Sequence, residues 1–233
     1  MYTLICYSTP NYAPITTLFM KSLQTYRGKP FRLYHKLDSS MPVQKDGFQT
    51  PLWYYCVLHK IKHLVSILEA KAKEETKAKE EAKAGYIVFS DCDVSFLGQN
   101  AHLWSSLFAS IDSSMDIVFM REGITTDVNT GFFIMRQTSV SRLIPFFENV
   151  ISVMEQTPPE QMPLGDQTII NSLKNNIRYG FIPNEYVVFG NHIYNANRAL
   201  IHHAIGCTTI EEKVKHLESF RLPRMGRFGL GFT

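Results

Sequence analysis

Apolar and polar positions along the chain fall into alternating strand-like and helix-like patterns. Residues 2–7, YTLICY, form a short unbroken apolar run, as a strand buried on both faces requires. A polar Pro/Asn loop, STPNYAP, follows. ITTLFMKSLQTY is then helix-like and is expected to stop at Arg27-Gly28-Lys29-Pro30. FRLYHKL, over 31–37, alternates like a second strand. That order predicts a βαβ unit with parallel strands. Residues 52–84 read as one long helix, with Leu52, Trp53, Val57, Leu58, Ile61, Leu64, Val65 and Leu68 marking its apolar face. Its second half, 69–84, is a low-complexity run of Ala, Glu and Lys with Glu69–Lys73 and Glu75–Lys79 at favourable spacing. It is expected to stand off the domain as a solvated extension without chemistry, stopped by Gly85.

The remaining pattern is mixed. YIVFS (86–90) and DIVFM (116–120) read as buried strands, and TDVNTGFFIMRQT as loop, glycine, then strand. AHLWSSLFASI, SVSRLIPFFENVISVMEQ and TIEEKVKHLESF read as helices, and a Pro/Gly loop opens another near Asp166. IRYGFIP and YVVFG are short strands, RALIHHAIG is a strand ending in histidines, and 221–233 is a basic, Gly-rich tail. The fold class expected is α/β. One domain spans 1–233, with a mainly parallel central sheet flanked by helices and a smaller antiparallel element toward the C-terminus.

Composition adds limits rather than a function. A net charge of +3 is too small to argue for nucleic acid. The four cysteines, Cys6, Cys56, Cys92 and Cys207, contain no CxxC pair, so they read as reduced thiols rather than a zinc site. The N-terminal twenty residues lack a basic segment followed by an apolar block, and no run approaches the roughly 18 apolar residues of a membrane span. The chain is therefore expected to be soluble, with no transmembrane segment, and to work in the cytoplasm. His59 and His63 have helical spacing but lack the Glu of HExxH, and neither GxxxxGK[ST] nor GxGxxG is present.

The chemistry concentrates where the YIVFS strand runs into Asp91-Cys92-Asp93. Two carboxylates one residue apart share a face if the chain stays extended, and two such charges need compensation. A divalent cation of the Mg²⁺, Mn²⁺ or Ca²⁺ kind supplies it, and a turn-forming pair of Asp is the plain alternative. In open parallel sheets, ligands bind beyond the carboxyl ends of the strands, where these two residues lie.

Four segments in order carry a resemblance. YIVFSDCDVSF resembles the DxD segment of the GT-A glycosyltransferases, which transfer sugars from nucleotide-diphosphate donors. NTGFFIMR (129–136) resembles their Asn-x-Gly strand, GDQTIIN (165–171) their Asp-Gln helix start, and HHAIG (202–206) their C-terminal His-Ala-x-Gly. The resemblance spans about residues 2–215, closest to the small nucleotide-diphospho-sugar transferases of viruses, algae and bacteria. It implies a metal site of Asp91, Asp93 and His203 holding Mn²⁺ or Mg²⁺, with imidazole tilting the choice to manganese. It implies a donor, a UDP- or GDP-sugar, held by Asp91, by Thr9, Pro10 and Tyr12 after the first strand, by Lys60, and by Asn129 and Gly131. A diphosphate-binding lysine falls on Lys213 or Lys215, which spacing does not separate, and Lys213 is preferred; the Lys-Pro-Trp of one branch is missing. Asp166 is the candidate catalytic carboxylate, stabilising an oxocarbenium-like transition state or deprotonating the acceptor hydroxyl, with Gln167 orienting a sugar. Its plain alternative is a helix N-cap. Asp127 ranks below it. The acceptor implied is a glycan or another hydroxyl compound. On this reading 1–120 is the nucleotide-binding half and 121–220 the sugar and acceptor half. The alternatives are a sugar nucleotidyltransferase, which usually carries an early Gly-rich basic loop, and a non-catalytic nucleotide-sugar or glycan-binding domain.

Overall fold

Strand Tyr2–Ser8 (β1), helix Ala13–Thr25 (α1) and strand Phe31–Leu37 (β2) form the expected βαβ unit, with β1 and β2 parallel and in register from Tyr2–Phe31 to Ser8–Leu37. The computed structural model describes residues 2–25, 31–40, 49–77, 85–97 and 101–220. The helix stop at 27–30, the helix continuation over 78–84 with its Glu75–Lys79 pair, and the basic tail 221–233 lie outside them. The long helix runs Pro51–Lys77 (α2). Its charged end is not wholly solvated: the buried Lys71 donates to Tyr34 Oη at 3.2 Å and pairs with Glu74.

After α2 come Tyr86–Ser90 (β3), Val94–Phe96 (β4), Ala101–Ser110 (α3), Ile117–Arg121 (β5), Val128–Arg136 (β6) and Val140–Gln156 (α4). Asp166–Leu173 (α5), Tyr179–Phe181 (β7), Val187–Phe189 (β8), His192–Ile193 (β9), Ile201–His203 (β10) and Ile210–Ser219 (α6) complete the order. A six-stranded sheet, β2-β1-β3-β6-β5-β7, has parallel neighbours except where β6 runs antiparallel to both β3 and β5. A smaller sheet, β4-β10-β8-β9, is mixed, because β10 and β8 are parallel. Its first strand comes from mid-chain, directly after Asp93, rather than from the C-terminal region alone.

Alternation sorts the central strands between two cores. Ile5, Ile87, Phe89, Phe119, Phe133 and Met135 pack with α2, α4 and α5. Leu4, Cys6, Val88, Val118, Phe132 and Ile134 pack with α1, α3 and the small sheet. Burial on both faces is why these strands read as continuous apolar runs. Gly131 lies inside β6 rather than before a strand.

One buried charge ties the far end of this sheet together. Asp116, 2% exposed, accepts from Ser139 Oγ at 2.7 Å, Arg142 Nε at 2.9 Å and Arg178 Nη2 at 2.8 Å. Burial alone would raise its carboxyl, but the Arg178, Arg142 and Ser139 hydrogen bonds overcome that and hold it well below the usual range. A depressed carboxyl contributes stability above its unfolded value, here near 3.8, and loses it as pH falls. The two arginine side chains are 52% and 55% exposed, which screens the clamp. Asp116→Asn is expected to cost about 2 kcal/mol at pH 7. Urea denaturation of both proteins should show that gap narrowing as pH drops below 3.8.

Candidate active site

A cavity of about 460 Å³ opens where β1 and β3 reach their carboxyl ends. β3 stops at Ser90, and the chain turns through Asp91-Cys92-Asp93 into β4. The two carboxylates therefore stand on a turn between sheets, not on one face of a continuing strand. Backbone bonds fix that turn: Asp91 N donates to Gly131 O at 2.7 Å, and Ala204 N donates to Asp93 O at 3.0 Å. Both Asp side chains line the cavity, while Cys92 is buried in the core formed with α1 and the small sheet.

Each carboxylate has a lysine from a distant element. Lys60 on α2 is buried, not solvent-facing, and its Nζ lies 3.2 Å from Asp91 and 2.9 Å from Asp166. Burial pulls the Lys60 ammonium down, but Asp166 and Asp91 more than reverse this and raise it. Lys213 on α6 contacts Asp93 Oδ2, whereas Lys215 is exposed. For Lys213 too, burial is outweighed by Asp93, and the ammonium is raised. Asp93 mirrors this. Burial opposes its ionisation, but Lys213 and His203 hold the carboxyl far below its usual range. Asp91 behaves oppositely. It keeps 28% of its side-chain surface open to the cavity, yet burial by the surrounding walls outweighs Lys60 and pushes its carboxyl up to about 6.

His203 enters from the small sheet. Its Nε2 lies 3.4 Å from Asp93 Oδ1, and its ring sits over Gly131. A Cβ at 131 would meet His203 Cε1 at 2.4 Å, so only glycine allows the ring there. His202, next along β10, points the other way and stacks on Phe220 with centroids 3.8 Å apart. Burial lowers its imidazole to about 4.

Next to Gly131 lies a hydrogen-bonded amide array. Asn129 Nδ2 and Gln167 Nε2 both donate to Glu122 Oε2, at 2.7 and 2.9 Å. Their oxygens accept from backbone: Asn129 Oδ1 from Gly131 N at 2.9 Å, and Gln167 Oε1 from Thr130 N at 3.2 Å. Sequence reasoning missed Glu122. Its signal was the one used for Asp91, a carboxylate just past the end of a buried strand. Gly165, at φ +58, is the residue before α5, which puts Asp166 inside the helix's first turn and its side chain on Lys60 instead of in an N-cap.

At the β1 end, Thr9 is buried and lines the cavity with Tyr7 and Tyr12. Tyr7 Oη donates to Asp38 at 2.9 Å. Burial pushes the Tyr12 phenol up to about 12. Pro10 opens the single turn that presents Tyr12 and does not itself line the cavity. Asp127 is also outside it, paired with Lys174 at 3.1 Å. Thr9, Tyr12, Lys60, Asp91, Asp93, Asn129, Gly131, Asp166, Gln167, His203 and Lys213 all line this one cavity.

Part of a donor set for a divalent ion is present. Asp93 Oδ1 is buried without a hydrogen bond and faces an imidazole nitrogen, an arrangement of donors that suits Mn²⁺. Among the described residues, no three His, Cys, Asp or Glu side chains are closed around a point as they stand. The lysines occupy the carboxylates.

No family model matches the sequence, and no curated protein matches it by sequence. Solved structures do match. A glycosyltransferase involved in glycosylation of the major capsid of PBCV-1 is similar with a TM-score of 0.60 and 16% identity, over 93% of this chain and 98% of that one. The glycosyltransferase GlyE of Streptococcus pneumoniae TIGR4 is similar with a TM-score of 0.57 and 15% identity, over 95% of this chain and 61% of that one. An active-site mutant of LgtC is similar with a TM-score of 0.54 and 11% identity, over 95% and 98%. At such identities the likeness is one of fold, and the chain has the GT-A-like fold that its motifs implied. Among the described residues, no helix is long and apolar enough to cross a membrane.

The two carboxylates should respond oppositely to neutralisation. Asp93→Asn leaves Lys213 and His203 facing no charge and is expected to cost about 2 kcal/mol. Asp91 is held protonated more readily in the folded chain than in the unfolded one. Its contribution therefore falls as pH rises from about 4 to 6. Asp91→Asn removes that penalty while Lys60 keeps Asp166. Metal-free thermal melts at pH 7 should show a lower Tm for Asp93→Asn and an equal or higher Tm for Asp91→Asn.

Proposed function

We propose that this chain is a glycosyltransferase that moves a sugar from a nucleotide-diphosphate donor to a hydroxyl acceptor, with a divalent cation. The observation that carries this reading is the convergence of Asp91, Asp93, His203, Lys60 and Lys213 with the Asn129–Glu122–Gln167 array around one cavity. The lysine ammonium groups suit a diphosphate, and the Glu122 carboxylate suits a sugar hydroxyl. The fold shared with glycosyltransferases supports it.

In this reading Asp91, Asp93 and His203 would hold Mn²⁺ or Mg²⁺, which when bound would supply Lewis-acid stabilisation of the leaving diphosphate. Lys213, released from Asp93, turns its ammonium to the diphosphate. Tyr12 and Thr9 border the nucleoside of a UDP- or GDP-sugar. Glu122, fixed by two amides, takes a donor-sugar hydroxyl, and Gly131 lets the ring approach the strand. Asp166 faces the reacting carbon, where its charge stabilises a developing oxocarbenium ion or takes the acceptor proton. Lys60 positions Asp166 against Asp91. The acceptor is a glycan or another hydroxyl compound, and the simplest site of action is the cytoplasm.

A thermal-shift panel of UDP- and GDP-sugars tests the donor. At least one should raise Tm with Mn²⁺ and shift it little without, because a ligand stabilises only the state that binds it. No shift with any donor would refute the assignment. For the metal, calorimetry with Mn²⁺ should show His203→Ala losing affinity by about tenfold or more, as removal of a ligand does, and His202→Ala close to the parent. Equal losses would exclude His203.

A further inference from the structure

The cavity has an apolar flank away from the residues assigned to the donor. Trp53, Val57 and Lys60 lie at i, i+4 and i+7 of α2 and all line the cavity. Lys60 reaches Asp166, and Trp53 stands two turns away, toward α5. There its indole edge packs against Gly165: a Cβ at that glycine would meet Trp53 Cη2 at 2.8 Å and Val57 Cγ2 at 3.0 Å. Leu164, largely exposed, lines the cavity beside them. The result is a short apolar shelf, Trp53–Val57–Leu164, bordered by the polar groups of Asp166 and Gln167. The nucleoside end, at Tyr7, Thr9 and Tyr12, belongs to β1 and the turn that follows it. The shelf instead abuts the residue before Asp166.

We propose that this shelf is the acceptor subsite and that it takes a pyranoside, the terminal sugar of a glycan, stacked by its apolar face on the Trp53 indole. This rests on the glycosyltransferase reading above. A pyranose ring has a face of C–H groups and a rim of hydroxyls, which matches an aromatic surface edged by a carboxylate and an amide. An acyl chain would need a longer apolar channel than the three side chains of this shelf. The shelf lies one residue from Asp166, so an acceptor hydroxyl on it stands beside the carboxylate assigned to the reacting centre.

The sequence contains two tryptophans. Trp104 is 1% exposed in the core, so ligand-sensitive emission reports Trp53. The full chain is titrated with methyl β-D-galactopyranoside, methyl β-D-glucopyranoside, methyl α-D-mannopyranoside and a Ser/Thr-rich peptide. At least one glycoside should change the emission saturably, and the peptide should not. Saturation-transfer NMR with the same glycoside should show Trp53→Ala weakening binding by about tenfold, with Trp53→Phe retaining most of it through its own ring. Leu164→Glu, on the exposed side of the shelf, should weaken it as well and serves where Trp53→Ala folds poorly. Emission that answers only the peptide, or equal glycoside affinity in the parent and both variants, overturns the proposal. Glycoside binding through Trp53 without hydrolysis of, or transfer from, any nucleotide sugar refutes the transferase reading alone. Transfer to glycosides that leave Trp53 unaffected refutes the subsite alone.

Discussion

Charge balance among buried ionic side chains is the constraint on which the site is built. Asp91 and Asp93 leave a buried strand at a turn, where neither is fully hydrated, and each is met by a lysine from a separate helix. Removing Asp93 would strand Lys213, whereas Lys60 keeps Asp166 without Asp91, so α6 and the turn after β3 are held together by electrostatics as well as by packing. The balance is uneven. Asp93 is clamped by Lys213 and His203, while Asp91 shares Lys60 with Asp166 and stays easier to protonate. One carboxylate is thus a fixed anion and the other an adjustable one.

The sheets supply the frame for this balance. The parallel strands β1 and β3 end on one side, and the antiparallel β6 begins there, so Asn129 and Gly131 come to the same rim as Asp91. The small sheet brings His203 back over that rim, 110 residues after Asp93. Glu122 orients the amides of Asn129 and Gln167 with their nitrogens committed to itself and their oxygens to β6. Both amides are thereby committed at each end, while their bonds to Glu122 engage only its Oε2.

Much of this was legible in the residues. YTLICY and YIVFS read as buried strands because both faces are covered, and the βαβ order followed from alternation between strand and helix patterns. The motifs around Asp91, Asn129, Asp166 and His203 marked positions that the fold brings to one cavity. What was not legible depends on long-range geometry. VSF after Asp93 is too short to announce a strand that joins a second sheet. Lys60 was marked by the resemblance as a donor contact, but its bridge between Asp91 and Asp166 shows only once the helix is laid across both carboxylates. Lys213 and Lys215 are separated only by the phase of α6. Glu122 escaped because its importance lies in two amides 7 and 45 residues away.

The contact of His203 with Gly131 has a consequence for how the two sheets are spaced. The imidazole belongs to one sheet and the bare strand beneath it to the other, and the clearance between them is less than a methyl group. The ring acts as a spacer shim that limits how closely β10 can approach β6 at the cavity rim. A backbone forms one jaw and a ring the other, so this corner of the packing between the layers, beside Asp93, has no side chain to repack.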